Sequence, residues 1–228
     1  MLLLAVDTSG RQGSIALART TEPRADSAEG VEVIEVAPLS GGAFSAQLIP
    51  RIAALLAKHS FTRNDIDGFV VASGPGSFTG LRVGLAAVKA LAEVLAKPIA
   101  SVSLLEALAL AAGSQGRVIA ALDAGRGEIY AGEYDVSGNA ATVVKEQLLT
   151  QAEAFVTAGK SVFATSDKTL YEAAAAAGIS VSRVDVLDAG AIAALGWHKI
   201  NAGVIVSPEN LEANYIRRTD AEILLKIS

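Results

Sequence analysis

The sequence predicts an α/β protein built from two tandem copies of one lobe, each a mixed five-stranded sheet with flanking helices. Three observations carry this. The apolar run Phe69-Val70-Val71-Ala72 ends in Gly74-Pro75-Gly76 and a helical pattern follows, so strand, tight loop and helix succeed one another. Around that unit the first half of the chain reads strand, strand, strand, helix, strand, helix, strand. The pattern that ends the first strand at Asp7 then returns at Asp123, close to half a chain length later.

Leu2 to Ser9 reads as a strand ending in Asp7-Thr8-Ser9, Gly10 to Gly13 as a turn and Ser14 to Ala18 as the hairpin partner. The polar, turn-rich stretch from Thr20 to Gly30 predicts a mobile hairpin tip. Val31 to Val36 alternates apolar and acidic residues, as a half-buried third strand does. Ser45 is suited to cap a helix running to Lys58, with Leu48, Ile52 and Leu55 on one face, Ile49, Ala53 and Leu56 beside them, and Pro50 restricting its first turns. Ser77 and Thr79 both suit the cap of the next helix, from Gly80 to Ala96, where Pro98 forbids continuation. Ile99 to Val102 is the fifth strand.

That order describes the ribonuclease H-like unit found twice in the actin and sugar kinase ATPase superfamily. The second copy starts with Val118 to Ala131, which repeats the hairpin with Asp123 in the place of Asp7. A strand at Thr142 to Val144, a helix at Gln151 to Thr157, a strand at Ser161 to Ala164, an Ala-rich helix at Leu170 to Ala177 and a strand at Val181 to Val186 follow. A closing helix spans Ala189 to Ile200. The lobes are expected at residues 1–102 and 103–228, joined within 101–116, with the final segment a candidate to pack back on the first lobe.

The helix after the glycine loop sorts by angle at about 100° per residue. Leu81, Leu85, Val88, Ala92 and Leu95 form one stripe. Val83, Ala87, Ala90 and Val94 form a second, nearly opposite, with only a narrow polar strip of Arg82, Lys89, Glu93 and Lys97 between them. One face covers the sheet; the other is available to a second helix at close range, within the chain or on a partner.

Composition bounds the function classes. Half the residues are hydrophobic, 51%, yet charges recur throughout and no run approaches the roughly 18 apolar residues of a membrane span. Met1 to Val6 meets Asp7 too soon, and lacks the basic flank, for a signal peptide. Zero Cys excludes a disulfide framework and thiolate chemistry, and with the other features places the chain in the cytoplasm. A net charge of -5 argues against gripping nucleic acid alone, since phosphate neutralisation needs clustered Lys and Arg. The densest such cluster, Arg217-Arg218 with Lys226 nearby, reads as a solvated surface.

The loop Gly74-Pro75-Gly76-Ser77, leading through Thr79 and Gly80 into a helix N-terminus, suits an anion, because unpaired N–H groups and the helix dipole both favour negative charge. A plain strand-to-helix connection explains the same glycines, and the loop has neither the Gly-Lys-Ser/Thr ending of a P-loop nor the dinucleotide fingerprint. In ATPases of the superfamily a carboxylate ending each first strand positions metal and water, which makes Asp7 and Asp123 the catalytic suspects; each also suits the cap of its own tight turn. The first turn carries no Lys, and Ala164-Thr165-Ser166-Asp167-Lys168 has no glycine to hold adenosine. His59 and His198 are the only histidines, and neither has metal-ligand spacing to a partner.

The stretch Ser73-Gly74-Pro75-Gly76-Ser77-Phe78-Thr79-Gly80-Leu81-Arg82 resembles the signature of the TsaB family. Leu4-Ala5-Val6-Asp7-Thr8-Ser9 and Leu122-Asp123-Ala124-Gly125-Arg126-Gly127-Glu128-Ile129-Tyr130 agree, so the resemblance spans both halves. Tyr215-Ile216-Arg217 is similar to the family's Tyr-Leu-Arg, with Ala213 where a Pro is usual, and Phe44-Ser45 stands where the family has His-Ser.

The resemblance implies an actin-like fold and a non-catalytic, dimerisation subunit in bacterial synthesis of threonylcarbamoyladenosine on tRNAs that read codons beginning with A. It implies pairing with TsaD, which carries a His-rich metal site and transfers the threonylcarbamoyl group, with the ATPase TsaE as third member. It also implies a homodimer when alone, tRNA met only through the complex, and no cofactor, metal or membrane of its own. The family's contact surface uses the first two helices, so Leu48, Ile52, Leu55, Val83, Ala87, Ala90 and Val94 are the expected interface. Gly74, Pro75, Gly76, Ser77, Thr79, Gly80 and Arg82 form the signature loop, and Asp7 and Asp123 are vestigial cleft carboxylates. The alternative is an ATP-dependent phosphotransferase or hydrolase of the same superfamily using Asp7 and Asp123.

Overall fold

The computed structural model describes residues 1–20, 30–40, 42–185 and 187–217. Most of the hairpin tip expected to be mobile at 20–30, together with Arg218 and Lys226, lies outside the described residues.

The first sheet consists of β1 (Leu2–Asp7), β2 (Gly13–Thr20), β3 (Val31–Leu39), β4 (Gly68–Gly74) and β5 (Ile99–Ser103), in the spatial order β3-β2-β1-β4-β5. β1, β2 and β3 pair antiparallel, whereas β4 lies parallel to β1 and to β5. α1 (Phe44–Lys58) and α2 (Phe78–Leu95) supply the crossovers. Leu4, Val6, Ile15, Leu17, Phe69, Val71 and Ile99 share one core with Leu48, Ile52 and Leu55 of α1 and Leu81, Leu85 and Val88 of α2. That clustering follows from the period of two in the strands and 3.6 in the helices.

α1 starts at Phe44 with no side-chain cap, so Ser45 lies inside the helix rather than before it. Phe44 is buried, and a Cβ on Gly13 would stand 3.0 Å from its ring, so core packing fixes this helix start. Pro50 lies within α1 without ending it. α2 is capped by Ser77, whose hydroxyl accepts from Gly80 N–H, and ends at Ala96 in the left-handed region.

The second sheet repeats the topology. β6 (Gly116–Gly125), β7 (Glu128–Ser137), β8 (Ala140–Thr150), β9 (Val162–Thr165) and β10 (Val181–Arg183) stand in the order β10-β9-β6-β7-β8, and α4 (Gln151–Ala158) and α5 (Lys168–Ala176) cover one face. β8 is much longer than Thr142 to Val144, because Lys145, Glu146 and Gln147 hide an edge strand behind polar side chains. α3 (Leu104–Ala111) occupies the stretch expected to be a join.

The first lobe comprises Met1–Ala107 and, from much later in the chain, Leu187–Ala213; the second comprises Leu108–Val186 and the chain from Asn214. The return segment holds α6 (Ala189–Asn201), which lies across all five strands of the first sheet. A Cβ on Gly196 would stand 2.3 Å from both methyls of Val70, so only glycine permits that approach.

Candidate functional site

The turn after β1 is built on its own carboxylate. Asp7 Oδ1 accepts from Ser9 N–H at 2.9 Å and from Ser9 Oγ–H at 2.6 Å. Burial pushes the Asp7 carboxyl above its ordinary range; the Ser9 hydrogen bonds pull it partly back, and the neighbouring Asp188 adds to the rise. Asp188 caps α6 by accepting from Ala191 N–H at 2.9 Å, and Ala189 N–H donates to Ser14 Oγ at 2.8 Å.

The signature loop sits on this turn. Ser77 N–H donates to the Ser9 carbonyl at 2.6 Å, and the Thr8 hydroxyl donates to the Gly80 carbonyl at 2.7 Å. A Cβ on Gly76 would stand 2.5 Å from the Ser9 oxygen, one on Gly80 2.1 Å from the Thr8 oxygen, and one on Gly84 2.4 Å from Thr8 Oγ1. The glycines therefore serve close packing of α2 on β1. Two of the amides that could serve an anion already have acceptors, Ser77 N–H at the Ser9 carbonyl and Gly80 N–H at the Ser77 hydroxyl. The Gly74–Pro75 peptide bond is cis. Thr79 is exposed, and the Arg82 guanidinium lies 3.7 Å from the centroid of the Phe78 ring.

Asp123 lies two residues before the end of β6, in a different setting. It is exposed, and its Oδ1 accepts from Gly125 N–H at 2.9 Å, which caps a tight turn. Among the described residues no three His, Cys, Asp or Glu side chains come together as a metal-binding group.

The expected interface residues divide. Leu48, Ile52 and Leu55 are 1%, 5% and 4% exposed and belong to the core, which corrects their assignment to a surface. Burial of that stripe in the core sets the roll of α1, and at the helix end Lys58 and His59 both reach Glu35 of β3, at 2.6 and 2.8 Å. These bonds, Lys58 first and then His59, keep the Glu35 carboxyl below its ordinary range. The outward face of α1 instead carries Ile49, 49% exposed, and Ala53. On α2, Val83 and Ala87 are half-buried, Ala90 is exposed and Val94 is 78% exposed. α1 and α2 contact one another, and each carries apolar residues that are at least partly exposed. Ile49 and Ala53 already stand together on the helical wheel; what the pattern lacks is the roll, because apolar residues surround most of the helix.

Arg217, expected to be solvated, is instead ion-paired with Glu128 and lies over the Tyr130 ring. His198 and Trp197 are half-buried on α6, away from any metal-like grouping. No helix among the described residues is long and apolar enough to cross a membrane.

A model of the TsaD family, described as tRNA N6-adenosine threonylcarbamoyltransferase, matches residues 9–194. The tRNA threonylcarbamoyladenosine biosynthesis protein TsaB of Bacillus subtilis is 35% identical over 156 residues, 67% of this chain and 64% of that protein. The chain belongs to this family, as a TsaB-type member. TsaB of Escherichia coli is 31% identical over 142 residues, covering 61% of this chain and 57% of its own. An uncharacterised protein of Mycobacterium tuberculosis is 31% identical over 196 residues, 80% of this chain and 79% of that protein. The match thus spans just under two thirds of the Bacillus protein's length. Among solved structures, YeaZ from Pseudomonas aeruginosa superposes with a TM-score of 0.70 at 24% identity, covering 94% of this chain and 99% of that one, and shares the fold. Both mixed five-stranded sheets of the TsaB family's expected α/β architecture are present.

Proposed function

We propose that this chain is the non-catalytic, dimerisation subunit of a tRNA threonylcarbamoyladenosine transferase complex, and that it binds and activates a TsaD-type subunit through the α1/α2 face. The observation that carries the proposal is the accessible apolar surface of Ile49, Ala53, Val83, Ala87, Ala90 and Val94, which holds no charged side chain. Small residues let a partner helix approach closely, and burying such a surface stabilises association by about 25 cal/mol per Å² before the cost of ordering. Asp7 supports a non-catalytic role, because it is buried and Ser9 already occupies one of its oxygens twice. The likeness to TsaB proteins supports the pathway. TsaE as a third member, a homodimer of the chain alone, tRNA met only through the complex, and action on tRNAs reading codons that start with A belong to the same proposal.

The test is reconstituted tRNA threonylcarbamoylation with TsaD, TsaE and the adenylate-forming enzyme, with this chain added, omitted, or carrying Ala87→Asp. Modification is expected to require the chain and to fall at least tenfold with Ala87→Asp, while circular dichroism shows the variant folded; desolvating a new carboxylate at the interface costs well over 1.4 kcal/mol. Full activity without the chain overturns the proposal. A loss with Asp123→Ala, in a protein that still binds TsaD, transfers the chemistry to this chain.

A further inference from the structure

We infer that the Asp7-Thr8-Ser9 turn is a positioning seat for α2, setting the height and rotation at which α2 presents the apolar face. The inference rests on the proposal that this face is the partner site, and it assigns the turn a role that neither catalysis nor simple turn-capping provides. Gly76, Gly80 and Gly84 recur every four residues, so they lie along one side of the loop and helix, and all three meet the same turn. Thr8 is 2% exposed, and its hydroxyl is directed at a single acceptor, the Gly80 carbonyl. A hydrogen bond of fixed direction specifies rotation about and translation along the helix axis, which interdigitated aliphatic side chains leave looser. Asp7 completes the seat from beneath: both Ser9 donors close on its Oδ1, and the Ser9 carbonyl receives Ser77 N–H. Asp7 and Thr8 are thus positioning residues. Val83 and Ala87 flank Gly84 on the same helix, so a shift at the seat reaches the outer face through a close-packed interior.

The geometry separates the clash at Gly84 from the hydrogen bond of Thr8. Gly84→Ala drives a methyl to 2.4 Å from Thr8 Oγ1, whereas the next nearest atoms, Thr8 Cβ and Val6 Cγ1, stand at an ordinary 3.6 Å. Thr8→Ala removes the obstructing oxygen. The experiment uses the full chain as wild type, Gly84→Ala, Thr8→Ala/Gly84→Ala, Thr8→Val, Thr8→Ser and Ala87→Asp. Two readouts are made: affinity for the purified TsaD subunit of the same genome by calorimetry, and hydrogen exchange of amides 80–88 against amides 48–56. Gly84→Ala and Thr8→Val are expected to weaken pairing by roughly tenfold and to speed exchange at 80–88 alone. Thr8→Ala/Gly84→Ala relieves the clash but still lacks the hydroxyl, so it is expected to pair about as weakly as Thr8→Val, and Thr8→Ser to bind as wild type. Wild-type affinity in Gly84→Ala and Thr8→Val, with Ala87→Asp impaired, overturns the seat while leaving the partner site intact. If Ala87→Asp pairs normally, the partner site has failed, and exchange decides the seat: local acceleration supports it and unchanged rates overturn it. If Gly84→Ala does not fold, Thr8→Val, which preserves volume, decides in its place.

Discussion

The turns that follow the first strand of each sheet share a topology and an aspartate, and differ in almost everything else. Asp7 is buried, with Ser9 bonded to it and Asp188 nearby, next to residues on which a glycine loop closes, whereas Asp123 is exposed at an open turn: a Cβ on Gly125 or Gly127 meets no atom within 4 Å, and Arg217 reaches the Gly125 carbonyl from the side. The corresponding strand-to-helix connection of the second lobe, Thr165 to Lys168, holds no glycine, and Asp167 caps α5 in the ordinary way, accepting from Leu170 N–H at 2.8 Å. A duplicated fold has thus kept two aspartates at equivalent places, one as a joint between elements and one as a turn residue. The residue type is shared; the function depends on what is packed above it.

The contrast is sharpest at the glycines. Gly80→Ala places a methyl 2.1 Å from a backbone oxygen that cannot swing away, and is expected to destabilise the chain by about 3 kcal/mol in urea unfolding. Gly125→Ala meets no atom and strains only a positive φ of 73°, an expected loss of about 1 kcal/mol. Equal losses erase the distinction between the two turns.

The carboxylates are next in size. Asp7→Ala leaves two Ser9 donors buried without an acceptor, an expected loss of about 2 kcal/mol, whereas Asp123→Ala removes a single exposed turn bond, about 0.5 kcal/mol. Asp7 also has a pH signature. Its folded carboxyl binds a proton more tightly than the unfolded one, so its contribution is most favourable below the ordinary value of 3.8 and is lost as pH rises through that value to the raised one. Asp7→Asn keeps an acceptor for Ser9 without the charge. Its stability relative to wild type, followed by urea midpoint from pH 3 upward, is therefore expected to improve as pH rises; a flat difference breaks the assignment of burial as the cause.

Much of this architecture is legible along the chain because it is periodic or punctuated. The repeated hairpin at Asp7 and Asp123, the strand ending at Gly74 and the two stripes of α2 are all local patterns, and the inward stripe of Leu81, Leu85, Val88 and Ala92 packs as its spacing says. α1 resists the same treatment, since apolar residues surround most of its circumference and only packing against the sheet selects which of them turn inward. The purpose of the glycines is equally hidden, because Thr8 and Gly80 are 72 residues apart and only the fold brings them together. Residues 187–213 follow the second lobe in sequence but join the first sheet, a long-range choice that no window of residues contains.

That return helix carries a consequence for biosynthesis. The face of the first sheet that α6 covers, with Ala5, Ala16, Ala18 and Val70, cannot be sealed until residue 201 has left the ribosome, long after β5 is complete. At roughly 5–20 residues per second the nascent chain holds an uncovered apolar sheet for several seconds. Vectorial folding here is a race between that exposure and the arrival of one thirteen-residue helix.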